Sequence, residues 1–220
     1  MNRNPGVLGW TVAMVLAAGG ALAHDKAAGW KEHTSTDIKV AWRITSAGGG
    51  LRIEDHAETT AKARVKDAVA VLLDIPGHGG FMGNKCRVLE QLPDNTWLVY
   101  AFIENPWPIP DADRVSRLRY TRDEATGTAV FRFTAEPDAY PRQGVARQTH
   151  FDLTYTVVDL GNGRIELRED GVAEPPFDVP RWMVNSAFPK VPLESMRKLV
   201  GMIEKRALAH GEHPAARNGG

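Results

Sequence analysis

Cysteine is nearly missing from this chain: Cys86 is the only one in 220 residues. A single thiol excludes an intramolecular disulfide, so stability has to come from packing. A surplus of charge is missing too. Lys and Arg number 27, and Asp and Glu number 27. No basic excess exists to neutralise phosphates, which disfavours nucleic acid as a partner. Repeats, low-complexity linkers and breaks in composition are absent between residues 30 and 209, which points to one domain.

Signatures of catalysis and metal binding are also sparse. His78-Gly79-Gly80-Phe81 has the look of a Gly-rich oxyanion loop, but the Gly-x-Ser-x-Gly turn that such a loop serves does not occur. Ser195-Met196-Arg197-Lys198 fits Ser-x-x-Lys without its companion Lys-Thr-Gly, and reads as a helix surface. His78 reads as a solvent-facing loop residue. The histidines are scattered, and His210 and His213 share a polar tail with no third ligand. No cluster has the density of a metal site, so neither a metal nor a cofactor is expected.

Long apolar runs are confined to the N-terminus. Arg3 precedes an apolar stretch from Val7 to Leu16, and small residues ending Ala21-Leu22-Ala23 follow before His24. That order predicts a secretory signal peptide over 1–23, cleaved near His24, and a periplasmic or secreted protein. A membrane anchor is the other reading, for which the run is short and interrupted by glycines. Arg3 is the only charged residue in that segment, so the remainder carries a net −1. Residues 210–220 are polar and read as a flexible tail.

Between the ends, Ile38, Val40, Trp42 and Ile44 alternate with polar or small residues, the period of a half-buried strand. A second strand runs from Leu51 to about Lys62. Val65, Ala68, Val69 and Leu72 predict a short helix that stops at Ile75-Pro76-Gly77. Strands at about 85–91 and 97–104 flank Pro93-Asp94-Asn95. Those at 114–122 and 128–135 flank Ala125-Thr126-Gly127, and those at 148–159 and 163–173 flank Gly161-Asn162-Gly163. Successive hairpins argue for an antiparallel sheet. Leu193, Met196, Leu199, Val200, Ile203 and Ala207 form one stripe of a long amphipathic helix. The sum is an α+β domain over residues 24–209.

Asn105 to Asp113 connects two of these strands. Pro106, Pro108 and Pro110 fix φ and remove donors, so the piece must be a stiff, kinked connection carrying Trp107. That ring either plugs the end of a core or closes the mouth of an apolar cavity.

Pro106-Trp107-Pro108-Ile109-Pro110-Asp111-Ala112-Asp113 resembles the Pro-Trp-Pro-Val-Ser-Asp-Arg-Asp stretch of bacterial StAR-related lipid-transfer (START) domains. Glu54 to Ala61, Val65 to Asp74, Cys86 to Glu90 and Trp97 to Tyr100 are similar to the strands and helix that precede it in that family. Val179-Pro180-Arg181-Trp182-Met183-Val184-Asn185 resembles the family's Ile-Pro-x-Trp-x-x-Asn lead-in to its last helix. The match spans roughly residues 30 to 209.

The resemblance implies a helix-grip fold, in which a curved antiparallel sheet wraps a long C-terminal helix around an internal cavity. It also implies a non-enzymatic protein that binds and shuttles a lipid, with transient membrane contact. Sterol, hopanoid, phospholipid and fatty acid all stay open. On this reading Tyr100, Phe102, Trp107, Leu118, Tyr120 and Phe131 are candidate ligand contacts. So are Phe133, Phe151, Leu153, Met196, Val200 and Ile203.

The family's motif Arg is Ala112 here and its Ser is Pro110, with Arg114 on the same strand phase as Ala112. Leu118 stands where a deep charged residue is expected, and Phe81 where Trp is common. These departures suggest a more apolar cavity than usual. The alternatives are an enzyme on the same fold, with His150, Glu104 and Asp152 as acid–base candidates, or a lipid-gated adaptor.

Overall fold

The computed structural model describes residues 29–211 except Gly49 and Pro106. The signal-peptide expectation and most of the expected tail lie outside the described residues. Among the latter, ten strands form one sheet: β1 (Lys31–Ser35), β2 (Ile38–Ala47), β3 (Gly50–Ala61), β4 (Lys85–Leu92), β5 (Thr96–Ile103), β6 (Ala112–Arg122), β7 (Ala129–Ala135), β8 (Ala146–Gln148), β9 (Phe151–Gly161) and β10 (Arg164–Ala173). Their order is β1-β2-β3-β10-β9-β7-β6-β5-β4, and every neighbouring pair in it is antiparallel. The short β8 pairs parallel with the start of β6.

Three α-helices among the described residues accompany the sheet: α1 (Val65–Leu73), α2 (Arg181–Ala187) and α3 (Lys190–Gly211). The hairpin expectations hold, and the turn chemistry explains why. Gly161, Asn162 and Gly163 all have positive φ, at 75°, 52° and 70°. Glycine and asparagine adopt this region more readily than most residues, and it matches the twist of the strands they join. At the start of α1, the Asp67 carboxylate accepts the Arg64 backbone N–H at 3.1 Å. That satisfies one orphan donor and places negative charge at the positive end of the helix.

The sheet has two unlike faces. Odd-numbered residues of β3, β7, β9 and β10 point inward, as do even-numbered residues of β6; Ala57, Phe131, Tyr155, Leu167 and Leu118 are all buried there. α3 lies against this face beside α1, β2 and β3. Its Leu193, Met196, Leu199 and Ile203 are buried at helical spacing. Each such side chain contributes about 2 kcal/mol on leaving water, which makes this stripe the main attachment of the helix. No helix among the described residues is long and apolar enough to cross a membrane.

The outer face is polar over β3, β10, β9 and β7, but not over β5 and β6. There Leu98, Tyr100 and Val115 form a second, smaller apolar cluster with Leu89, Phe102 and Tyr140. The segment that crosses from β7 to β8 covers part of it. A buried arginine clamps that segment down. Arg147 donates to both Asp113 oxygens, the longer bond being 2.8 Å, and to the carbonyls of Pro137 at 2.7 Å, Tyr140 at 2.9 Å and Pro141 at 3.2 Å.

Candidate functional site

A hollow of about 140 Å³ lies between the inner sheet face, α3 and the loop after α1. Phe151, Leu153 and Tyr155 of β9 form one wall; Phe81, Met82 and Ser195 close the opposite side. At about 30 Å³ per liquid water, the space would take four or five waters. Ordinary small-molecule pockets run to 300 Å³ and beyond. Beside the hollow, Leu118, Phe131, Phe133, Met196, Leu199 and Ile203 pack together without exposure. Among the described residues, the space found where a tunnel was expected is this short hollow.

Its lining is not purely apolar, which corrects the expectation of an unusually greasy cavity. Asp55 of β3, Glu169 of β10, Tyr155 and Arg114 all reach it. Burial, and after it the neighbouring Asp55 charge, pushes the Glu169 carboxyl up to about 8. Burial likewise pushes Asp55 up to about 6, against the pull of its hydrogen bond with Glu169. The Tyr155 hydroxyl also interacts with Glu169 and is driven well above its ordinary value, mainly by burial. Near neutral pH the two carboxyls together hold roughly one proton.

Arg114 supplies the cation. Its guanidinium donates to the Met82 carbonyl at 2.7 Å and to Gln148 at 3.4 Å, and it lies 3.7 Å from the centre of the Phe151 ring. Burial lowers it to about 10, so it stays charged at neutral pH. The inward phase shared with Ala112 was visible in the sequence, and the structure gives that phase a deep charge at 114 instead of at 118.

Glycine makes room for the acid pair. Gly171 pairs with Asp55 across β10 and β3. A Cβ there would come within 2.7 Å of Asp55 Oδ1.

The twelve candidate contacts separate into groups. Phe151 and Leu153 line the hollow. Leu118, Phe131, Phe133, Met196 and Ile203 belong to the packed interior, with Tyr120 and Val200 half-buried against it. Tyr100 and Phe102 lie on the opposite face of the sheet, where Arg87 and Lys85 stack on their rings. They cannot line the hollow while β5 keeps its register, which turns Val99 and Ala101 inward. Trp107 is 92% exposed. It neither plugs the core nor lines the hollow.

His78 is a second correction: it is buried, not solvent-facing. Its Nε2 sits 3.2 Å from the Val71 carbonyl and its ring packs on Phe81. Burial lowers its pKa to about 4, so the ring is neutral. His150, Glu104 and Asp152 do not assemble in the hollow. His150 and Asp152 line a wide groove on the outer face, where Asp152 pairs with Arg132 at 2.7 Å and His150 with Glu174 at 3.3 Å. Glu104 is exposed in the β5–β6 connection. No group of three or more His, Cys, Asp or Glu among the described residues is placed to hold a metal.

Sequence reasoning missed Asp55 and Glu169. The available signal was phase: Asp55 falls in step with Ile53 and Ala57, and Glu169 with Ile165 and Leu167.

A ten-stranded curved antiparallel sheet gripping a long C-terminal helix matches solved structures. The STAR-related lipid transfer protein of Xanthomonas axonopodis superposes with a TM-score of 0.68 at 24% identity, over 80% of this chain and 98% of that one. The fold is START-like. Human STARD10 superposes with a TM-score of 0.67 at 15% identity, covering 84% of this START-like chain and 77% of its own. The Zhui aromatase/cyclase of Streptomyces sp. R1128 shares the fold at a TM-score of 0.53 and 16% identity, over 73% of this chain and 98% of that one. Among curated sequences, the uncharacterized protein PA1579 of Pseudomonas aeruginosa is 29% identical over 209 residues, 91% of this chain and 99% of that protein. No family model matches.

Proposed function

We propose that this protein binds one hydrophobic, lipid-class molecule between the sheet and α3 and carries it between membranes in the periplasm after export. The observation that carries the reading is a hollow with a polar floor, set against α3 in a START-like fold. Solved relatives of this fold are named for lipid transfer, and the same use is proposed here.

Loading requires the hollow to grow, since about 140 Å³ is too small for an acyl chain or ring system. The segments that would move are the β5–β6 connection and α2 with the start of α3. Both reach the same end of the sheet, where Ile103 pairs with Ala112, Phe151 with Ala173, and Ile53 with Ala173 and Ile44. Each carries an exposed tryptophan: Trp107 at 92% and Trp182 at 68%. Indole favours the boundary between lipid headgroups and chains. These two rings would hold the mouth of the hollow against a membrane during exchange.

The test is native mass spectrometry of protein purified gently from its host, with solvent extraction of the bound species. A stoichiometric hydrophobic adduct is expected. An empty protein that also fails to withdraw labelled lipid from vesicles would refute carriage.

A second reading is an enzyme on this fold. It draws support from the aromatase/cyclase relative and from Tyr155, Glu169 and Asp55 meeting in one hollow, where a proton could move among them. Chemical conversion of a bound ligand, abolished in Glu169→Gln, would favour it over carriage.

A further inference from the structure

Resting on the reading of lipid carriage, the geometry points to a ligand whose polar end is an amine, seated as an ammonium on the Asp55–Glu169 pair. The cavity would thus take an amphipathic amine in preference to an alcohol, and exclude an anionic head.

Glu169 is 6% exposed, and its Oε2 has no hydrogen-bond partner. A buried carboxyl oxygen without a hydrogen-bond partner is costly, and native interiors rarely leave one. Glu169 itself lines the hollow. Gly171 preserves that space, because any side chain there would crowd Asp55.

The charges facing the pair come from each wall. Asp55 comes from β3, Glu169 from β10, Tyr155 from β9 and Arg114 from β6. His56 and Asp170 sit on the outer phase, close enough to bias Asp55. α3 contributes only Ser195 to the lining. Arg114 is thus the cation within reach, and it is committed to the Met82 carbonyl, Gln148 and the Phe151 ring. A carboxylate or phosphate entering here would meet two acids. An alcohol could satisfy Glu169 Oε2 but would leave the pair's charge unanswered. An ammonium brings donors for both acids together with a positive charge.

The proton balance is specific. The empty pair carries one proton and one negative charge. An ammonium enters with its own proton, the shared proton leaves to the buffer, and two carboxylates face one cation. The site's net charge stays at −1. Amine binding therefore releases up to one proton, whereas alcohol binding releases none.

The experiment is titration calorimetry of the full chain at pH 7 with dodecylamine, dodecanol and dodecanoate, each below its micelle concentration. Two buffers of different ionisation heat read the proton. Wild type, Glu169→Gln and Asp55→Asn are compared, with circular dichroism confirming their folds. The amine should bind at least tenfold tighter than the alcohol, and dodecanoate weakest, with proton release for the amine alone. Glu169→Gln and Asp55→Asn should each weaken the amine at least tenfold and dodecanol by clearly less. Equal binding of all three, preference for dodecanoate, amine binding without proton release, or an unaffected pair of folded variants overturns the inference and leaves carriage standing. Failure of wild type to hold any of the three removes carriage, and this inference with it.

Discussion

Arg147→Met tests the reasoning about buried charge most directly. The Arg147 and Asp113 side chains are both shut off from solvent, and the guanidinium also serves three carbonyls of the crossing segment. Removing the cation strands a buried carboxylate, which costs about 3–5 kcal/mol. The Pro137, Tyr140 and Pro141 carbonyls each lose a donor, worth about 1 kcal/mol apiece where water cannot replace it. The single variant should therefore lose about 4–8 kcal/mol, a large share of the 5–15 kcal/mol typical of a domain. Asp113→Leu with Arg147→Met removes both charges while roughly keeping volume, so only the carbonyl losses of about 1–3 kcal/mol should remain. Urea unfolding followed by tryptophan fluorescence at pH 7 measures Arg147→Met, Asp113→Leu and the double variant. A loss below about 1 kcal/mol in Arg147→Met, or single effects that simply add in the double variant, would refute the argument.

Glu169→Gln should change how stability depends on pH. The folded carboxyl titrates near 8 and its unfolded reference is 4.5. Between those values the folded chain keeps a proton that the unfolded chain gives up, so wild type loses stability as pH rises through this window. The difference in favour of Gln should grow from pH 5 to pH 8, reaching on the order of 3 kcal/mol by pH 7; a constant difference in urea midpoints would contradict the assignment. His78 acts in the opposite sense. Folded near 4 against an ordinary 6.5, it contributes stability above pH 6.5 that is lost as pH falls toward 4, and His78→Phe should lessen that acid sensitivity in thermal melts. Gly83→Ala would bring a Cβ to 2.9 Å from the Phe102 carbonyl and 3.2 Å from Ala101 Cβ. Backbone cannot yield there as a side chain end could, so a loss of about 1–3 kcal/mol is expected, lowering Tm by roughly 3–10 °C. Trp107→Ala should shift stability by no more than about 0.5 kcal/mol while weakening flotation with anionic vesicles several-fold; unchanged flotation would count against membrane contact through this loop.

Strands and the last helix were legible because their signals are local. Ile38, Val40, Trp42 and Ile44 show their period within seven residues, and the Gly161-Asn162-Gly163 turn fixes a hairpin by backbone chemistry alone. Which face a phase belongs to was not local. β5 is apolar on both phases, with Trp97, Val99 and Ala101 on one and Leu98, Tyr100 and Phe102 on the other. Only the crossing segment, folded over the outer side by Arg147, decides that Tyr100 belongs outside. The acid pair was hidden for a related reason. Asp55 and Glu169 are far apart in the chain and meet because β3 and β10 pair. β8 escaped notice because three residues carry no period, and its parallel partner is remote in sequence.

The sheet never closes, so it has two rims. The β1 rim is short and reads Lys-Glu-His-Thr-Ser. At the β4 rim the pairing slips between Val88 and Glu90, and Lys85, Arg87 and Glu90 stand along it. Charge and an irregular ladder make poor templates for another chain's backbone. An open sheet nine strands wide can thus crowd with its own copies without stitching to them, leaving the bare indoles of Trp107 and Trp182 as the surface features that concentration would test.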